Sequence, residues 1–425
     1  MLVRCARQAS EVRRVTRTGA HGLETLSRGD LAKLGREFML YGHLYDRALM
    51  PQVAMKLGGG SEIEPLSIWE WKGASPNYTR RMKRLMEIAG DDVVAIVKAL
   101  QLDVGFPHEY MDVRFALQPD GSAEFVLNHC GALMDVEKTG ERGVVMMCHR
   151  IEDPTFDATA VATNPRARMR PIHRPPRTPA DRHPHCHWTI RIEPDAEPLL
   201  EEPHTLAVGK LALAHVANER PADREPGGRA DYAGPFDPDF RLEDLAHGTL
   251  VAALREFALQ THLLAASADL YLSERHDRAK VRDVLADQWA GASWISAERI
   301  AALRDLRGGD LDAIAAVLAL HPAFPPGVRT TIERSSDRTL RLGIDGPREL
   351  LDPDAAGWLG LLGAGDPRPV EAIVQAVNPR ARVASAAPCE YAIALDPAAE
   401  PAAEPRSVAL TRISTAAAWR FRDFG

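Results

Sequence analysis

The sequence predicts an α+β protein of two pseudo-symmetric lobes, each a helical half followed by a small antiparallel sheet. Two observations carry this: short segments recur in the same order along the chain, and within each copy the apolar period changes from helical to alternating.

The recurrence opens on Arg36-Glu37-Phe38-Met39-Leu40, which returns as Arg255-Glu256-Phe257-Ala258-Leu259, with His43-Leu44 returning as His262-Leu263. Trp71-Lys72-Gly73-Ala74-Ser75 returns as Trp289-Ala290-Gly291-Ala292-Ser293. Gly90, Asp92 and Phe106-Pro107 match Gly308, Asp310 and Phe324-Pro325. Asn164-Pro165-Arg166-Ala167-Arg168 returns unchanged as Asn378-Pro379-Arg380-Ala381-Arg382, and Cys186-His187-Trp188 is answered by Cys389-Glu390-Tyr391. Any one match is chance; five in one order are not. The predicted organisation is a basic N-terminal arm (1–29), a first copy (30–195), a linker (196–246), a second copy (247–396) and a C-terminal tail (397–425). Pro and Gly density marks the linker, and an Ala/Pro/Glu-rich run begins the tail.

Within the first copy, Leu31, Leu34 and Phe38 share one helical face, as do Met82, Leu85 and Ile88, then Val93, Ile96, Val97 and Leu100. Val113–Leu117, the turn Pro119-Asp120-Gly121 and Ala123–Leu127 read as a β-hairpin. Trp188, Ile190 and Ile192 alternate, as in a strand with one buried face.

At 425 residues, with 45% apolar and 26% charged side chains, each copy is long enough to bury its own core. The net charge of -7 argues against a nucleic-acid partner, and no apolar run is long enough for a membrane span. Arg4, Arg7, Arg13, Arg14, Arg17 and Arg28 make the start basic without the apolar stretch of a secretory signal, which reads as a frayed arm or a transit peptide. Five cysteines in a chain without an export signal predict a cytoplasmic protein with reduced thiols, available as ligands or catalysts.

Those thiols gather in the first copy, with Cys130, Cys148 and Cys186 each at a predicted strand end, among His129, His149, His173, His183, His185 and His187. Thiolate and imidazole are the ligands zinc prefers. The expected metal set is Cys130, Cys148, Cys186 and His183 or a neighbouring histidine; buried apolar cysteines are the alternative. His149 and Asp153 are the expected catalytic pair. Asp153 would complete the shell, orient His149 or act as general base toward water, or else cap a helix beginning at Pro154. The second copy keeps only Cys389 and offers Pro347-Arg348-Glu349 and Gly363-Ala364-Gly365 where the first has Cys130 and Cys148. His43 persists as His262, which points to a structural role, and Trp71 and Trp289 read as core. Phosphate-loop, GxSxG and HExxH patterns are absent from the sequence.

The order Trp71, Gly90-Asp91-Asp92, Cys130, Cys148, Asn164-Pro165-Arg166, Pro175-Pro176, His183-Pro184 and Cys186-His187-Trp188 resembles an uncharacterised prokaryotic family, DUF6125, itself similar to the L-2-amino-thiazoline-4-carboxylic acid hydrolase-like group. The resemblance covers copy one and, weakly, copy two. It departs at Arg174, where the family carries a cysteine before the two prolines; His173 or His183 would replace that ligand. It implies a metal- or thiol-bearing site and a hydrolytic relative. The expectation is a metal-dependent, zinc-type enzyme acting on a small molecule, with its site in copy one. The other reading is a non-catalytic small-ligand binding or sensing protein with a structural metal. A homo-oligomer is compatible with either.

Overall fold

The computed structural model describes residues 22–306 and 308–422, so most of the expected basic arm lies outside the described residues. The fold is α+β, as the sequence predicts, and the two copies share one topology. In copy one, α1 (Arg28–Lys56), α2 (Ile63–Leu85) and α3 (Val93–Leu100) lead into the hairpin β1 (Met111–Leu117) and β2 (Ala123–Cys130). Then come α4 (Gly131–Glu137), α5 (Glu141–Val145), a π-helical turn (Met146–Ile151), α6 (Glu152–Val161), β3 (Ala167–His173), β4 (Cys186–Ile192) and α7 (Pro203–Gly209). Copy two repeats the plan. Its helical half is α8 (His247–Ser273), α9 (Arg278–Leu303) and α10 (Leu311–Leu320), followed by β5 (Arg329–Ser336) and β6 (Thr339–Asp345). It closes with α11 (Arg348–Leu351), α12 (Trp358–Gly363), α13 (Arg368–Val377), β7 (Ala381–Ala387), β8 (Glu390–Leu395), α14 (Arg406–Arg412) and α15 (Thr415–Ala418). Both sheets are antiparallel, with strand orders β1-β2-β4-β3 and β5-β6-β8-β7. They even slip register at matching places, between Pro171 and His173 and between Ser385 and Ala387.

Most of the repeated residues have a local reason. Asp92 and Asp310 cap α3 and α10, each carboxylate accepting the N–H three residues on, from Ala95 (2.9 Å) and Ala313 (2.8 Å). Asn164 and Asn378 each accept the N–H two residues on (2.9 and 2.8 Å), closing the turn into β3 and β7. Their amide groups tie that turn to Asp91 O and Gly309 O (2.9 and 2.5 Å). His43 is buried and donates from Nε2 to Gly105 O (3.2 Å), while His262 faces the matching backbone at Pro322 and Ala323, so both are structural. In the hairpin turn Asp120 accepts from Ser122 N (3.1 Å) while Gly121 takes φ 80°, a value that favours glycine.

The copies are interleaved. Within a copy the two long helices barely touch; instead α1 packs on α9, α2 on α8, and α1 on α8. Glu37 of the first motif receives Arg299 of α9 (2.6 Å), and Glu256 of the second receives Arg81 of α2 (2.7 Å). The same buried ion pair is made twice with the copies exchanged, as an approximate two-fold axis requires.

Two segments carry more structure than the sequence reading gave them. Within 196–246, α7 packs on α2 at Gly73, where a methyl group would overlap Ser267 and His204. Within 397–425, α14 packs on α9 at Gly291, where a methyl group would overlap Thr411 and Ser407. Glu202-Pro203 and Glu404-Pro405 begin these helices alike, so the repeat extends beyond the 195 and 396 boundaries.

Candidate functional site

The described thiols of copy one come together. Cys130 is the last residue of β2 and caps α4, its sulfur accepting from Leu133 N (3.3 Å). Cys186 opens β4 directly across from Leu127 of β2. Cys148 does not end a strand, as the sequence reading had it; it lies in the π-helical turn that joins α5 to α6. An inserted residue in such a turn re-aims the side chains that follow, a device common at functional sites. All three cysteines are buried and unpaired by disulfides.

A fourth acid closes the group. Glu152, four residues after Cys148 and at the start of α6, sits close enough that its charge is felt at all three thiols. Burial pushes its carboxyl up to about 8, against the pull of the nearby Arg174 guanidinium. Its Oε2 is buried and has no hydrogen-bond partner among the described residues. Burial pushes Cys130 up to about 12, helped by Glu152 and opposed by the Leu133 N–H and by Arg47. Burial and then Glu152 push Cys148 and Cys186 up as well. The cluster therefore holds its protons at neutral pH. A thiol in that condition is a poor nucleophile, since thiolate is the reactive form.

The remaining expected residues are arranged around this group. His149 donates from Nε2 to Pro175 O (2.7 Å), which fixes its ring against the 174–176 segment. Asp153 neither caps α6, which starts one residue earlier after Ile151, nor joins the thiols; it is half-exposed and paired with Arg174. Glu152, beside it, is the carboxylate that faces inward. The signal was present in the sequence, because Cys148 and Glu152 are spaced to share one face of a helix. His183 is exposed, donates to Asn128 O (3.3 Å) and lies beside His185, with ring centroids 5.0 Å apart. His185 is buried, and burial with the nearby Arg177 holds it down at about 4.

As donors, three thiols and a carboxyl with a buried, unpartnered oxygen suit zinc in kind. As they stand, no three His, Cys, Asp or Glu side chains among the described residues are arranged to hold a metal ion. Among those residues, too, no helix is long and apolar enough to cross a membrane.

Copy two has the same strand order but an ordinary α-helix, α12, in place of the π-helical turn, and none of this chemistry. Pro347 caps α11 where Cys130 caps α4. Its α12 presents buried Trp358, Leu361 and Leu362, with Trp358 stacked on Trp289 (5.1 Å, 6°). Cys389 is half-buried, in the turn between β7 and β8 with φ 62°, and does not begin the strand as expected.

Comparisons with protein-family models, with curated proteins and with solved structures return no match.

Proposed function

We propose that this protein is a metal-dependent, zinc-type enzyme that acts hydrolytically on a small molecule, with its site in the first lobe. The observation that carries the reading is the mutual proximity of Cys130, Cys148, Cys186 and Glu152 in one buried pocket, all four held protonated there. Four acids buried together can exchange their protons for one cation, whose positive charge their anions would then share. A zinc ion would supply that charge and act as a Lewis acid toward a substrate carbonyl. Cys130, Cys148 and Cys186 would hold it. Glu152 holds a proton at Oε1 or Oε2 below about pH 8 and can give or take one near neutrality, the property of a general acid–base. That role passes to Glu152 from Asp153, whose pairing with Arg174 leaves it as the residue that positions the guanidinium beside Glu152. His149 locks the 174–176 segment through Pro175 O.

The test is zinc titration of chelator-treated protein in weak buffer. Uptake should release protons and raise the thermal midpoint, by roughly 2.7 kcal/mol of stability at a hundred-fold excess over Kd. Glu152→Gln should keep zinc and lose hydrolysis across a panel of small amides and esters. Absence of proton release or of any thermal shift in the native sequence would reject the metal reading; full hydrolysis by Glu152→Gln would reject the assigned base.

A further inference from the structure

A second feature separates the lobes, and it lies outside the thiol pocket. Over the β1 edge of the first sheet is a cavity of about 410 Å³. One wall is β1 with its lead-in, another the 238–243 segment, and a third the chain after α15, which crosses from copy two. Six rings face it: Phe106, His108, Phe115, His129, Phe240 and Trp419. Trp419 stacks on His129 (5.0 Å, 23°) and meets Tyr110 edge-on (5.6 Å). Thr415 anchors the same segment, its Oγ1 donating to Gly131 O (2.8 Å) and its N–H to Asp135 (2.7 Å).

The second lobe supplies the control. Its matching cavity is walled by the chain after α7, crossing in the opposite direction from copy one. There Val216 stands where the first lobe has Trp419, Ala217 where it has Arg420, Pro326 where it has His108 and Gly346 where it has His129. That wall carries no aromatic or imidazole ring. The folding plan therefore makes a crossing segment and a cavity in both lobes, and only the first fills it with rings. Folding alone does not require them.

The charged groups of the wall indicate what the rings would meet. The lining carboxylates are engaged, Glu109 and Glu243 by Arg36 (2.5 and 3.4 Å) and Asp112 and Asp239 by Arg114 (2.9 and 3.6 Å). Arg420, exposed at the mouth, adds positive charge beside Trp419. Flat apolar faces with a guanidinium at the rim fit a flat body with a negative charge.

We propose that this cavity binds a small planar aromatic anion, its ring among the Phe106, Phe115, Phe240 and Trp419 rings and its charge toward Arg420. Nothing in the wall is a thiol of the buried cluster, so binding does not depend on a metal. Saturation-transfer NMR on the full chain tests it with three probes: benzoate, cyclohexanecarboxylate (same charge, not planar) and benzyl alcohol (same ring, no charge). Benzoate should bind, the other two at least roughly ten-fold more weakly, the scale of one stacked ring. Trp419→Ala and Arg420→Ala should each weaken benzoate by a similar factor; Arg420 is exposed, so its variant tests the site even if Trp419→Ala fails to fold. No benzoate binding, or unchanged binding in the folded Arg420→Ala protein, would overturn the proposal. Equal binding of cyclohexanecarboxylate would overturn the planar class.

Discussion

The two lobes share strand order, register slips, helix caps and a reciprocal pair of buried ion pairs, yet differ wherever a side chain has no folding task. Residues present in both copies, such as Asp92 and Asp310 or Asn164 and Asn378, each have a hydrogen bond that explains them. Glu152, His129 and Trp419, present in one copy only, each leave a buried side-chain nitrogen or oxygen without a partner among the described residues. A diverged repeat thus subtracts structure from function within a single chain. What remains after subtraction lies in the first lobe and in the segment that the second lobe sends across it.

The ion pairs offer the largest effect with which to break this equivalence. Arg299 is buried against Glu37 and donates to Trp419 O (2.6 Å); Arg81 is buried against Glu256 and donates to Ala214 O (2.9 Å). Removing one partner strands a buried charge, so Arg299→Ala and Arg81→Ala should each destabilise by about 3–5 kcal/mol in chemical denaturation. Similar losses in both support the two-fold relation. A loss below about 1 kcal/mol in one alone would break it.

Protonation sharpens the comparison further. Asp103 and His321 occupy matching positions before Phe106 and Phe324, and each accepts the N–H two residues on, from Gly105 (2.7 Å) and Ala323 (3.0 Å). Burial pushes Asp103 up to about 6 and pulls His321 down to about 3. The unfolded chain loses the Asp103 proton first as pH rises, so its contribution to stability falls between about pH 4 and 6. The unfolded chain gains the His321 proton first as pH falls, so its contribution falls between about pH 6.5 and 3. Asp103→Asn should remove the first slope, on the order of 3 kcal/mol across the window. His321→Gln should remove the second, of opposite sign. Denaturation midpoints measured from pH 3 to 8 read both, and slopes of one sign in the two variants would contradict the assignment.

Much of this was legible in the sequence. The hairpin at Pro119-Asp120-Gly121 and the order of helices before strands follow from turn chemistry and apolar period, which are local. Cys148 was misplaced because Val144-Val145-Met146-Met147-Cys148 is a short apolar run, and period alone does not separate a buried strand from a helical turn. Glu152 and Asp153 follow Cys148 almost equally closely, and which of them faces inward is set by where α6 begins, at Glu152 and not at Pro154. Interleaving was out of reach for a different reason. An apolar stripe says that α1 is covered, but not that α9 of the other copy covers it.

The smallest expected effect concerns Cys389. Half-buried in a turn, it should tolerate Ser at a cost below about 1 kcal/mol, whereas Cys186→Ser, with its side chain enclosed, should cost about 1–3 kcal/mol in metal-free protein. Equal losses by thermal melting would erase the distinction between the two lobes' thiols.

The central claim, that the first lobe alone carries the working site, is tested most directly by metal content. Native protein and the Cys148→Ser and Cys389→Ser variants, purified from zinc-supplemented cells, would be measured by plasma emission spectrometry beside their thermal midpoints. About one zinc per chain in the native protein and in Cys389→Ser, with loss in a folded Cys148→Ser, is the predicted result. Zinc absent from the native protein, retained in Cys148→Ser, or lost from Cys389→Ser at unchanged stability would contradict it.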